Sequence, residues 1–125
     1  MKVVDAGVVV ELLVGGLDPE LLGEDELAAP HLLDSEVTNA LRRLVLHGRL
    51  SEGQGDAALA GFLQLVLTRY PADWLRPRMW EMRHNVSAYD ATYLALTERT
   101  GATVLLTTDA RLANAPGIRC DVQVL

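Results

Sequence analysis

The chain has 125 residues, half of them hydrophobic and 22 % charged, with a formal net charge of −6. That length predicts one domain over residues 1–125 with room for a real core, and the composition excludes a disordered chain. No apolar stretch reaches the roughly 18 residues of a membrane helix, Asp5 and Glu11 interrupt what a signal peptide would keep apolar, and the lone cysteine, Cys120, excludes an internal disulfide, so a cytoplasmic protein without membrane contact is expected.

Residues 2–5 read as a short buried strand. "VVVELLV", 8–14, reads as a short helix, because Asp5, Ala6 and Gly7 punctuate it and Glu11, Leu12 and Leu13 favour helix. "GGLDPELLGEDE", Gly15 to Glu26, is a loop with one helical turn, and a weak strand follows at Leu27 to Pro30. "LLDSEVTNALRRLVLHG" is the clearest helix: Leu33, Val37, Leu41, Leu44 and Val45 recur at helical spacing and Gly48 closes it. "SEGQGDAALAGFLQLVLTR" predicts a second helix from a Ser51 cap, with Leu59, Phe62, Leu63 and Val66 on one face. "ADWLRP" is a short strand at best and "MWEMRHN" is helical. "SAYDATYLALTERTG" is a helix capped by Ser87 and ended by Gly101. Residues 103–107 are the best strand, followed by a helical turn at 110–114 and a last strand at 120–124.

Strands separated by helices imply an α/β fold with a parallel sheet and helices on both faces. In such sheets the functional crevice lies at the carboxyl ends of the strands, where the strand order reverses. Two apolar strands here, "VVDAG" and "LLTTDARL", end on aspartates, Asp5 and Asp109. Each alone reads as a helix N-cap. Glu36 sits early on the long helix at the margin of its buried stripe, where a helix dipole favours a carboxylate. Asn39, one turn on, is a mediocre mid-helix residue that could hold Glu36 in place. In "SAYD", Ser87 and Asp90 have capping-box spacing. Asp34, Asp56, Asp73 and the acidic loop 18–26 read as solvated. So do Arg42, Arg43 and Arg83, although each lies near a motif and could meet phosphate.

Asp5, Glu36, Asp90 and Asp109 all fall at strand ends or early in helices, on one edge of the inferred sheet. Four carboxylates close together need a counter-charge. Hard divalent cations such as Mg²⁺ or Mn²⁺ supply it and take oxygen ligands. His31, His47 and His84 lack zinc-like spacing. A net charge of −6 is the wrong sign for a surface that attracts nucleic acid. Neutralising four acids in one site removes most of that objection.

These motifs resemble the PIN domain and, within it, a VapC-type toxin ribonuclease. The resemblance rests on "VVDAG", "HLLDSEVTNAL", "NVSAYDATYLAL" and "LLTTDARL" in that order over nearly the whole chain. It implies a three-layer α/β/α sandwich around a mainly parallel sheet. It implies that Asp5, Glu36, Asp90 and Asp109 ligate one or two Mg²⁺ or Mn²⁺ ions and hydrolyse RNA, typically structured RNA such as tRNA. Thr107 then lines the site and Asn39 orients the carboxylates. It also implies a small VapB-type antitoxin as partner, and a homodimer. One position departs from the pattern: Gly7 stands where the family often has a hydroxyl residue, which loosens the expected hold on Asp5.

Other classes fit less well. A phospho-acceptor receiver needs a late lysine, and the only lysine is Lys2. No glycine-rich phosphate loop is present. A non-catalytic α/β interaction module, or a PIN nuclease outside toxin–antitoxin systems, stays the alternative.

Overall fold

Five short strands form the centre of the computed structural model, which describes residues 1–125. They are β1 (Lys2–Val4), β2 (Leu27–Pro30), β3 (Thr68–Tyr70), β4 (Leu105–Thr107) and β5 (Val122–Val124). All pair in parallel, in the order β3-β2-β1-β4-β5. Val3 sits between Ala28 and Leu105. A parallel sheet is covered on both faces and needs continuous apolar strands. Val3, Val4, Ala28, Ala29, Leu105 and Leu106 meet that need and are buried.

Six helices cover the sheet: α1 (Ala6–Val14), α2 (Leu32–Leu46), α3 (Glu52–Gln64), α4 (Arg76–Glu81), α5 (Ala88–Thr100) and α6 (Ala110–Ala113). The chain moves outward from β1 to β2 to β3 through α1, α2 and α3. It then returns past β1 to β4 through α4 and α5. Right-handed crossovers in opposite directions put the two sets of helices on opposite faces. Accordingly α1, α2 and α3 pack on one another, α4 packs on α5, and α5 lies against β1 and β2. The order of the strands reverses between β1 and β4, which opens the crevice there. Gly101 ends α5 in the left-handed region (φ 67°), as expected from its place after the helix.

Three sequence expectations are corrected. The second long helix does not continue to Arg69; α3 stops at Gln64, and Leu65 is extended. Residues 68–70 leave the helical pattern because the edge of β2 offers backbone hydrogen bonds that Ala28 to Pro30 can only share with a strand. The expected apolar face breaks up with it: Phe62 is buried, but Leu63 and Val66 are 79 % and 87 % exposed. "ADWLRP" is no strand either. Asp73–Leu75 form a tight helical turn that runs into α4. Pro77 sits in the first turn of α4, where its missing N–H leaves no bond unmade, and Leu75 is fully buried. Asp34, expected to be solvated, instead pairs with Arg69 at 2.8 Å across α2 and β3.

Arg78 pins the return helices together. It is buried, and its Nε and Nη2 donate to the Glu98 carboxylate at 2.7 and 3.1 Å. Its remaining donors reach Glu81 at 3.1 Å and the Gly117 carbonyl at 2.6 Å. Burial pushes Glu98 up, but the Arg78 guanidinium and the Arg119 N–H outweigh it and hold the carboxyl below its usual range.

Candidate active site

Asp5 follows β1 and caps α1, so its position is set by both elements. Its N–H donates to the Leu106 carbonyl of β4 at 3.1 Å. One carboxylate oxygen accepts from the Val8 N–H at 3.0 Å, and the other accepts from the Thr107 hydroxyl. Thr107, the last residue of β4, is completely buried. Its hydroxyl oxygen in turn accepts from the Asp109 N–H at 3.0 Å. One oxygen atom therefore ties the carboxylate after β1 to the backbone that carries the carboxylate after β4. Burial pushes the Asp5 carboxyl above its usual range, against the pull of the Thr107 and Val8 hydrogen bonds, and the charges of Asp90 and Glu36 raise it further.

Asp90 is the third residue of α5. The Ser87 hydroxyl accepts from the Asp90 N–H at 3.1 Å. The reciprocal half of the expected capping box, from the Ser87 N–H to the Asp90 carboxylate, is not made; Ser51 and Gln54 form the complete box, at α3. Burial raises the Asp90 carboxyl and the charge of Asp109 adds to it, while Arg111 opposes both.

Glu36 is held by a residue that sequence reasoning did not single out. The Tyr93 hydroxyl donates to it at 2.6 Å, bridging α5 and α2. Tyr93 is buried, one turn beyond Asp90. Its phenol is pushed well above its usual value by burial, by the bond to Glu36, and by the charges of Glu36, Asp5 and Asp90. Glu36 accepts from this phenol, and the charges of Asp5 and Asp90 act on it as well. Asn39, expected to orient Glu36, is exposed and makes no side-chain hydrogen bond to it. The spacing of Tyr93 from Asp90 was the available signal; its meeting with a residue 57 positions earlier was not visible.

Asp109 caps α6 and takes a partner of its own. Arg111 donates from Nε and Nη2 to both of its oxygens, at 2.7 to 3.2 Å. These bonds hold the Asp109 carboxyl below its usual range. Arg111 itself is 86 % exposed.

The four predicted acids influence one another in the series Glu36–Asp5–Asp90–Asp109, the charges of Glu36 and Asp90 acting on Asp5 and that of Asp109 on Asp90. No three Asp, Glu, His or Cys side chains converge as a metal cage. Like charges at close quarters repel, and Tyr93, Thr107 and Arg111 each hold one acid in its own direction. The donor set nonetheless suits a hard divalent cation: every candidate ligand is a carboxylate oxygen. The raised Asp5 and Asp90 carboxyls are also groups whose ionised form a cation would favour.

The departure at Gly7 also has a structural counterpart. The Thr108 hydroxyl stands where a side chain at position 7 would begin, beside the Asp5 carboxylate. The hydroxyl expected to be missing there is supplied by Thr108, the residue after β4.

A doubly wound parallel sheet with carboxylates at its switch point defines the class of this protein as an α/β fold with an acidic crevice. The PIN domain profile matches residues 2–118. Ribonuclease VapC1 of Mycobacterium tuberculosis is 46 % identical over 132 residues, spanning 98 % of this chain and 96 % of that protein. Ribonuclease VapC9 of the same organism is 40 % identical over 126 residues, spanning 100 % and 98 %. Among solved structures, a Pyrobaculum aerophilum protein superposes with a TM-score of 0.72 at 26 % identity, covering 98 % of this chain and 83 % of that one. VapBC2 of Rickettsia felis, solved on a DNA fragment from its promoter, superposes at 0.67 with 14 % identity and 98 % of both chains. The chain belongs to the PIN-domain family, with VapC ribonucleases as its relatives.

Proposed function

We propose that residues 1–125 act as one nuclease domain, the toxin of a toxin–antitoxin pair, which hydrolyses phosphodiester bonds in cytoplasmic RNA such as tRNA or other structured RNA. The observation that carries this reading is the Asp5–Thr107–Asp109 linkage at the strand switch, with Asp90 and Glu36 beside it. Asp5, Asp90 and Asp109, with Glu36, would hold a Mg²⁺ or Mn²⁺ ion. Such an ion supplies a water of lowered pKa and positive charge near the scissile phosphate.

The chain's own residues do the positioning. Thr107 fixes Asp5 relative to Asp109, and Tyr93 fixes one oxygen of Glu36. Arg111 offers a guanidinium that matches phosphate as well as carboxylate. Its pair with Asp109 is exposed, so exchanging one partner for the other costs little.

A small VapB-type antitoxin and a second copy of the chain are the proposed protein partners. Relatives named VapC and the exposed apolar side chains Leu46, Leu63 and Val66 on and after α2 and α3 support a protein-covered face.

One assay tests the central claim. The purified chain is incubated with total RNA in Mg²⁺ or Mn²⁺, then in EDTA, beside Asp5→Ala and Asp109→Ala. Metal-dependent cleavage lost in both variants is expected. Cleavage that survives EDTA, or that both variants retain, removes the carboxylate site.

A further inference from the structure

The four carboxylates account for a scissile phosphate but not for the nucleotides on either side of it. Two adjoining grooves lead from Asp90, the first lined by it and the second continuing the first. The first, about 600 Å³, is lined by Asp90 and Ser87 with Arg111 and Arg83. The second, about 370 Å³, shares Arg83 and Ser87 with the first and continues to Trp80 and Arg76. Asp90 is the only acid along the pair. Other grooves on the surface mix their arginines with acids, as Arg42 with Glu52 and Asp56, or Arg119 with Glu98 and Asp121. On a chain of net charge −6 this strip is locally basic.

Trp80 lies on this strip and is 68 % exposed. The Arg83 guanidinium sits over its ring, 4.7 Å from the centroid, and donates to the Trp80 carbonyl at 3.0 Å. Arg76 donates to the Asp73 carbonyl at 2.9 Å. Neither Arg76 nor Arg83 has a carboxylate partner. Arg78, between them in sequence, is by contrast buried and fully engaged with Glu98 and Glu81. An exposed tryptophan gains nothing from folding. Braced by an arginine, it is a platform for a flat partner.

Resting on the ribonuclease reading, we infer that this strip binds the unpaired RNA that leaves the carboxylate edge. Arg111, Arg83 and Arg76 take backbone phosphates in turn, and Trp80 stacks on a base. Spaced guanidiniums along a groove with an aromatic side chain are the chemistry of single-stranded nucleic-acid tracking. A stacked base must be unpaired, so the strip selects single-stranded segments and loops over duplex.

The test is equilibrium binding of a labelled unstructured RNA oligonucleotide in EDTA across a salt series, with cleavage kinetics in Mg²⁺ alongside. Trp80→Ala weakens binding about ten-fold or more, and Trp80→Phe restores much of it. Arg76→Ala and Arg83→Ala each flatten the dependence of log affinity on log salt by about 0.7. In cleavage, all three alanine variants raise KM and leave kcat near wild type. Arg99→Ala, at the far end of α5, changes none of these. All four altered positions are solvent-exposed, and thermal melts check that folding is kept. Wild-type affinity and salt slope in the strip variants, while the wild-type chain still cleaves RNA, overturns the strip alone. Variants that bind RNA normally but lose retention of a protein partner reassign the surface to protein recognition and overturn it too. A wild-type chain that neither binds nor cleaves RNA removes the ribonuclease reading and the strip together.

Discussion

Replacing Thr107 with valine tests the joint between the two strand ends. The change keeps the β-branched shape and removes one oxygen from a fully buried position. That oxygen serves two bonds: it donates to the Asp5 carboxylate and accepts from the Asp109 N–H. A hydrogen bond to a charged group contributes about 1.5–3 kcal/mol, and an orphaned buried donor costs about 1–3 kcal/mol. Asp109 is only partly buried, so water relieves some of the second loss. A total of about 2–4 kcal/mol is expected, a large share of the roughly 5–15 kcal/mol that holds a domain together. Without the Thr107 bond the Asp5 carboxyl also moves further above its usual range, because burial then acts with less opposition. Nuclease activity should fall about 10–100-fold, the range seen when a group that orients metal ligands is lost. Urea unfolding of Thr107→Val and Thr107→Ser measures the first effect as a shift in midpoint at unchanged slope. Serine keeps the oxygen and should recover most of the stability and activity. The reasoning fails if valine is within about 0.5 kcal/mol of wild type, the spread of an ordinary surface substitution. It fails equally if serine is as damaged as valine, since that would implicate the methyl group.

Four other outcomes follow from the structure. Arg78→Ala leaves Glu98 buried without its cation and should destabilise by about 3–5 kcal/mol in chemical denaturation. Glu98 lies below its usual range in the folded chain, so its contribution is present above the ordinary carboxylate range and lost as pH falls through the lowered value; the gap between wild type and Arg78→Ala should narrow on acidification. Asp5 has the opposite sign, raised in the folded state, so the melting temperature of Asp5→Asn relative to wild type should rise as pH rises through the carboxylate range and fall back on acidification, while cleavage is abolished. Tyr93→Phe removes the donor to Glu36 and should cost about 1.5–3 kcal/mol of stability with a several-fold loss of kcat that Glu36→Ala does not add to. Gly7→Ser meets the Thr108 hydroxyl, so it should destabilise alone and recover in the double variant with Thr108→Ala, read by a thermal-melt cycle.

Much of this molecule was legible from local rules. The apolar pairs Val3-Val4 and Leu105-Leu106, the Ser87 cap and the Gly101 stop each depend on only a few neighbouring residues, and each stands where the pattern puts it. The positions of Asp5, Thr107 and Asp109 were legible for the same reason: they stand at or just past the ends of β1 and β4, and in a doubly wound sheet those ends must meet. Glu36 and Asp90 lie near the starts of α2 and α5. What tertiary structure alone decided depends on partners far apart in the chain. Residues 68–70 became a strand because β2 had an unpaired edge, against a helical pattern that looked continuous. Tyr93 rather than Asn39 holds Glu36 because its hydroxyl reaches from α5 to α2 at the acidic edge. Thr108 fills the space at Gly7 because β4 returns beside β1. Arg111 is only two residues from Asp109, yet its role was still undetermined, because an exposed arginine can turn to several partners and only packing and charge choose among them. Local sequence set which groups arrive at the crevice; the crossing of distant helices and strands set which way each of them points, since hydrogen bonds and repulsion act between neighbours in space.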